Sequence, residues 1–271
     1  MPHVISQDGT RIAYTKTGSG PAVVLVDGAF GHRGFGPNVD LAPVLAESHT
    51  VYAYDRRGRG DSGDTQPFSQ TREIEDLEAV IAEAGGTSDA SGPVAVYAIS
   101  SGAPLALDAA QAGLPISKLV VYEAPFVVDD SRKPIPDDFL ARLNALIAQD
   151  RRSEAITYFM TKGVALPGVF VMLMRLMPAW SKLKKVAHTV PYDVAGLGDT
   201  GAGKALPAGR WADGKVPTLV VAGGKSPKWM QNAMTALADV LPDARHRTLE
   251  GQMHIVKAKA IAPVITGFVD D

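Results

Sequence analysis

A chain of 271 residues, 46% of them hydrophobic, is long enough for one large domain with an insertion and apolar enough to bury a substantial core. Its net charge of −2, with acids and bases interspersed, offers neither a basic stripe for nucleic acid nor an acidic tail, so the expected partner is a small-molecule substrate. The absence of cysteine excludes a disulfide framework, a thiol nucleophile and a cysteine-ligated zinc site. No apolar run reaches transmembrane length, and no membrane partner is expected. The start Met1-Pro2-His3-Val4-Ile5-Ser6 lacks the charged-then-apolar layout of a secretory signal, which makes the cytoplasm the expected compartment.

In chain order, short apolar runs alternate with helical patterns. Residues 11–14, 22–26, 51–54, 94–97, 119–122, 218–222 and 245–249 read as strands. From residue 22 onward these runs are mostly apolar without alternation, as expected of a sheet covered on both faces. Residues 71–84, 104–112 and 228–241 carry the periodicity of covering helices. The layout predicts an α/β fold with a mostly parallel central sheet flanked by helices.

Between Pro125 and Pro217 the rhythm changes to helical periodicity without a buried strand, which predicts an inserted helical cap at 125–215 between core segments 1–124 and 216–271. Within it, Phe139, Leu143, Leu146 and Ile147 lie at helical spacing. The stretch 169–177, with Met172, Met174 and Met177, reads as packing between cap and core. Its alternative is an adaptable apolar wall over a ligand, because methionine fills irregular shapes.

The segment Val94-Ala95-Val96-Tyr97-Ala98-Ile99-Ser100-Ser101-Gly102-Ala103-Pro104-Leu105 carries the chemistry. A β-branched run ends in a small-x-Ser-x-Gly turn and continues as an apolar helix. This is the layout of a nucleophile elbow, where the residues two before and two after the serine must be small. Ala98 and Gly102 satisfy that spacing around Ser100. Ser101 as nucleophile would put branched Ile99 at the crowded position, so Ser100 is the candidate.

Around this elbow, further segments fall in the order found in the α/β-hydrolase superfamily, which the chain resembles over nearly its full length. Val26-Asp27-Gly28-Ala29-Phe30 occupies the place of a His-Gly turn that supplies an oxyanion-hole N–H. Tyr54-Asp55-Arg56-Arg57-Gly58-Arg59-Gly60-Asp61-Ser62 is similar to the Asp-x-Arg-Gly-x-Gly-x-Ser loop after the fourth strand. Leu249-Glu250-Gly251-Gln252-Met253-His254 is similar to the loop that presents the catalytic histidine. The resemblance implies an α/β-hydrolase fold and oxyanion donors at the backbone of Ala29 and Ser101, which need geometry rather than particular side chains. Phe30 and His32, beside that turn, and Met172 in the cap are the expected pocket residues. The loop over 56–60 reads as structural, tied down by glycine-permitted turns and an Asp55–arginine pair.

A serine hydroxyl needs a base within hydrogen-bond reach, and imidazole titrates near operating pH. Of six histidines, His254 is the candidate. His246 lies in a strand pattern, His188 among lysines, and His3, His32 and His49 in the N-terminal region. The imidazole in turn needs a carboxylate, and here the chain departs from the family pattern. After the run at 218–222, which corresponds to the family's seventh strand, it carries Ala222-Gly223-Gly224-Lys225-Ser226-Pro227, with Ser226 where an aspartate is usual. Glu123, in Val120-Val121-Tyr122-Glu123-Ala124-Pro125 at the end of the sixth strand, is the assigned acid, an arrangement that resembles certain haloalkane dehalogenases. Asp193 and Asp199 are the alternatives, with helix capping as their structural role.

A serine nucleophile implies an acyl-enzyme that water resolves. The expected reaction is hydrolysis of an ester, thioester or lactone in a small, moderately hydrophobic substrate. Acyl transfer, perhydrolysis or a cyclase-like step with the same triad, and a low-turnover ligand-binding role, are the alternatives. No metal, nucleotide or flavin motif is present, so no cofactor is expected.

Overall fold

In a computed structural model describing residues 1–85 and 94–271, eight strands form one sheet in the order β1-β2-β4-β3-β5-β6-β7-β8. They are β1 (His3–Ile5), β2 (Arg11–Thr17), β3 (Ala22–Val26), β4 (Thr50–Tyr54), β5 (Val94–Ile99), β6 (Lys118–Tyr122), β7 (Thr218–Gly223) and β8 (Ala244–Leu249). β1–β2 and β2–β4 pair antiparallel and the other neighbours pair parallel. β5 and β7 are buried at every residue, which is why their sequences show no alternation. β8 lies at the edge, and its exposed Arg245, His246 and Arg247 blunt that edge against further pairing. β1 adds a strand that sequence reading missed, because three residues are too few to show a period.

The two faces of β3 separate the core. Val24 and Val26 pack with α2 (Gln70–Glu83), α3 (Gly102–Gln111) and α9 (Lys228–Val240). Val23 and Leu25 pack with α1 (Asn38–Leu45) and α10 (Ala258–Val269) on the other face. β3 lies between β4 and β5; the connection leaving β3 runs to β4 on one side, and the connection leaving β5 runs to β6 on the other. The crevice outside the carboxyl ends of β3 and β5 is therefore a topological switch point, where ligand sites form in open α/β sheets.

Between β6 and β7 the chain forms α4 (Phe139–Ala148), α5 (Arg152–Tyr158), a π turn (Phe159–Gly163), α6 (Gly168–Met174), α7 (Ala179–Val186), a 3-10 turn (Ala187–Thr189) and α8 (Val190–Leu197). These elements share their own apolar cluster, built from Phe139, Leu143, Leu146, Ile156, Trp180 and Leu183, with Phe30 inserted from the turn after β3. The expectation that 169–177 packs inward does not hold. Only Val171 is buried and Met174 is half-buried, while the other side chains of this stretch face outward. Val171 and Met174 stand three residues apart, on one side of a short helix whose remaining apolar positions point away from it.

Candidate active site

Ser100 sits where β5 turns into α3, with φ of 56°. That left-handed conformation costs a residue with a β-carbon roughly 1–2 kcal/mol, and its surroundings enforce it. The Ser100 N–H donates to Tyr122 O at 2.9 Å, locking the elbow to β6. A β-carbon on Gly102 would lie 2.7 Å from the carbonyl oxygens of Val26 and Asp27, and one on Gly28 would lie 2.7 Å from Ser100 Cβ. Ala98 is wholly buried. The glycine two after Ser100 is thus required by close approach of the β3 end and its turn, while Ala98 sits in the closed core below the elbow.

His254 reaches this serine from the loop after β8, its Nε2 3.2 Å from Ser100 Oγ. Its Nδ1 lies 2.9 Å from Glu123 Oε2, which fixes the tautomer with the proton on Nδ1 and the free lone pair toward the serine. Glu123 is fully buried and holds a left-handed φ of 46° at the end of β6. Its other oxygen accepts the Gly223 N–H at 2.7 Å. The turn after β7 therefore supports the glutamate through its backbone instead of contributing a carboxylate. The histidine loop is pinned in turn: Tyr122 Oη donates to Met253 O at 2.7 Å, and the Lys225 N–H donates to Gln252 O at 2.8 Å. The imidazole keeps 28% of its side-chain surface exposed and Ser100 is half-buried, so a substrate can approach both.

On the opposite side of Ser100 lies a buried ionic cluster that sequence reading missed. Asp193, on α8, accepts from Arg56 Nη1 at 2.7 Å and Ser101 Oγ at 2.8 Å through one oxygen, and from Arg59 Nη2 at 2.8 Å through the other. Arg56 is also gripped by Glu73, at 2.8 and 2.6 Å. The same arginines hold the turn after β3: Arg56 donates to Asp27 O at 3.2 Å and Arg59 to Gly28 O at 2.7 Å. Among the described residues, no protein acceptor takes the N–H of Ala29 or Ser101, which leaves both as free donors flanking Ser100. Burial alone would push the Asp193 carboxyl up, but Arg59 and Arg56 outweigh it and hold it below the usual range.

Asp27 shows the opposite balance. Burial pushes its carboxyl up to about 7, the two arginines only partly offset this, and its Oδ1 lacks a partner among the described residues. Asp193 is thus neither beside His254 nor a helix cap, and Asp199 is exposed in the turn after α8. Nor does Asp55 pair with an arginine of its own loop. It binds Arg33, at 2.9 Å, while Arg57 turns to Asp76 and Asp8. Glycine-permitted turns do occur there, at Gly58 and Gly60, both with positive φ.

Of the expected pocket residues, Phe30 is buried and meets Phe159 of the π turn edge-on, with ring centroids 5.6 Å apart, so it ties the β3 turn to the insertion. His32 is half-buried beside Phe35, and burial lowers its basicity. Met172 is not at the site: it is 61% exposed, because the inward side of α6 is formed by Val171 and Met174. The other histidines stand apart from Ser100. His49 is held by Asp270 at 3.0 Å, His188 lies near Asp64, and His3 and His246 are exposed.

The model of an alpha/beta hydrolase family matches residues 23–258. An alpha/beta hydrolase from Sphaerobacter thermophilus DSM 20745 is 50% identical and superposes with a TM-score of 0.90, covering 99% of this chain and 100% of that one. A thermophilic esterase from Thermogutta terrifontis, 17% identical, has a TM-score of 0.70 over 99% of this chain and 97% of its own. An enol-lactonase from Burkholderia xenovorans LB400, also 17% identical, has a TM-score of 0.67 over the full length of both chains. No curated protein matches the chain. The last two structures speak for the fold alone, but the matched family model and the half-identical relative show that this chain belongs to the alpha/beta hydrolase family.

Proposed function

We propose that the chain is a serine hydrolase that cleaves an ester, thioester or lactone bond of a small, moderately hydrophobic substrate through an acyl-enzyme on Ser100. The observation that carries this reading is the continuous relay from Ser100 Oγ through His254 to Glu123, at 3.2 and 2.9 Å. In this reading His254 Nε2 takes the serine proton as Oγ attacks the carbonyl carbon, and Glu123 stabilises the imidazolium that forms. The free N–H groups of Ala29 and Ser101 receive the charge that develops on the carbonyl oxygen. The protonated imidazole then returns its proton to the leaving group, and water, activated by the same histidine, releases the acid. Residues 125–215 act as a cap, with Phe30 joining it to the oxyanion turn.

With Glu123 beside His254, the feature behind a ligand-binding role, an absent carboxylate after β7, loses its weight. The thermophilic esterase and enol-lactonase among the structural relatives are in keeping with ester or lactone chemistry. The test is labelling by a fluorophosphonate probe followed by turnover of p-nitrophenyl esters of increasing chain length. Rapid labelling of Ser100 with turnover is expected; a Ser100 that stays unlabelled, with no ester turned over, would overturn the reading.

A further inference from the structure

The insertion carries a surface that this chemistry leaves unused. Val169, Phe170, Met172, Leu173, Leu176 and Met177 are each between 52% and 83% exposed. Single exposed apolar side chains are ordinary. Six within 169–177, on one short helix and the turn after it, form a continuous patch of the kind that marks an interaction site.

Its electrostatic setting narrows the partner. Between Phe139 and Val190 the chain has eight lysines and arginines against two acids, whereas the rest has 19 against 27, so the interspersed charge of the whole hides a cationic stretch in the middle of the insertion. The two acids are neutralised locally: Glu154 pairs with Arg151, and Asp150 with Arg152. Arg175 stands exposed inside the patch and close enough to help hold the Glu154 carboxyl below its usual range, behind the Arg151 hydrogen bond. Arg151, Arg152, Lys184 and Lys185 line a shallow groove together with Asp150 and Glu154, so four cations meet two acids along the rim formed by α5 and α7. Among the described residues, Arg175, Lys184 and Lys185 have no carboxylate partner.

We infer that this face docks peripherally on an anionic lipid bilayer, with the apolar side chains of α6 seated at the headgroup–acyl boundary and the cationic rim on lipid phosphates. An exposed apolar helix face rimmed by Lys and Arg has the composition of an interfacial anchor, and juxtaposed cations draw it to acidic headgroups. Two copies meeting face to face would bring their cationic rims together. No described helix is long and apolar enough to cross a membrane, so the contact is with the surface.

The experiment is co-sedimentation of the full chain with vesicles of phosphatidylcholine alone or mixed with phosphatidylglycerol, at low and high salt. Binding is expected to the mixed vesicles only and to weaken with salt. Lys184→Gln with Lys185→Gln should reduce partitioning about fivefold per charge. Leu176→Ser with Phe170→Ser should reduce it at least about tenfold, from lost apolar burial. Circular dichroism checks the fold of the apolar variant, and the lysine variants, altered only at exposed tips, keep the test decisive if it misfolds. Ser100→Ala should bind vesicles like the parent, so failure of the hydrolase reading and failure of docking are separate results. No binding to either vesicle, or equal binding to both, would overturn the inference. So would a dimer in light scattering that Leu176→Ser disperses while vesicles capture nothing.

Discussion

Ser100 and Ser101 are neighbours in the chain, yet each belongs to a different buried carboxylate. Ser100 faces His254 and, through it, Glu123; Ser101 donates to Asp193, which binds two arginines. The difference lies in the middle partner. On the Glu123 side it is an imidazole, which carries one ring nitrogen toward the carboxylate and the other toward Ser100 Oγ and so offers a group able to accept and return a proton. On the Asp193 side the partners are buried guanidinium groups of Arg56 and Arg59, which present fixed forks of donors to the carboxylate and so hold position. What it holds is specific: the carbonyls of Asp27 and Gly28 on the β3 turn, Ser101 just before the elbow helix, and α8 of the insertion.

The contrast is broken most sharply by exchanging the serines for alanine one at a time. Ser100→Ala should lower kcat on an activated ester by on the order of 10⁶, the scale seen when a triad nucleophile is removed. Comparable loss from Ser101→Ala, with Ser100→Ala active, would reverse the assignment. On the other side the expected damage is to stability. Asp193→Ala leaves Arg56 and Arg59 short of a buried counter-charge and should cost about 3–5 kcal/mol in urea unfolding. Ser101→Ala removes one hydrogen bond to the same carboxylate and should cost about 1–2 kcal/mol, with kcat changed far less than by Ser100→Ala.

The smallest effect separates the two buried aspartates near these arginines by pH. The Asp193 carboxyl is held low, so its contribution to stability is present above the ordinary carboxylate range and is lost as pH falls through its folded pKa. The Asp27 carboxyl is pushed up to about 7, so the folded state binds the extra proton, and the associated stability is lost as pH rises toward neutrality. Asp27→Asn should therefore raise the melting temperature by more at about pH 8 than at about pH 5. An equal gain at both pH values would show that Asp27 is already ionised in the fold at the lower one.

Steric demands were the part of the site most legible in the sequence. The elbow could be read from Ala98 and Gly102 because crowding there admits only small residues, and Glu123 from the lack of a carboxylate at Ser226. The ionic cluster around Asp193 could not, because Asp193 lies 137 and 134 residues from the arginines it binds, and nothing local in Val190–Leu197 signals a partner so distant. Arginines 56, 57 and 59 lie just after Asp55, which suggests a pair within the loop, but Asp55 takes the Arg33 side chain from the β3 side and the backbone N–H groups of Arg33 and Asp61. The orientation of α6 was illegible for a different reason. From Val169 to Met174 every residue is apolar, so the helix has no polar face to mark its outer side, and composition alone does not tell that Met172 points outward.

The account turns on Glu123 as the acid of the relay, and kcat of Glu123→Gln on one activated ester tests it most directly, with Ser226→Ala, Ser226→Asp and the double variant Glu123→Gln/Ser226→Asp alongside and thermal melts to confirm folding. A neutral amide allows the wrong imidazole tautomer and cannot stabilise the imidazolium, so the predicted loss is roughly 10⁴, with Ser226→Ala nearly silent. Partial rescue in the double variant would show that the turn after β7 can still present a carboxylate to His254. Near-wild-type turnover by folded Glu123→Gln would contradict the account.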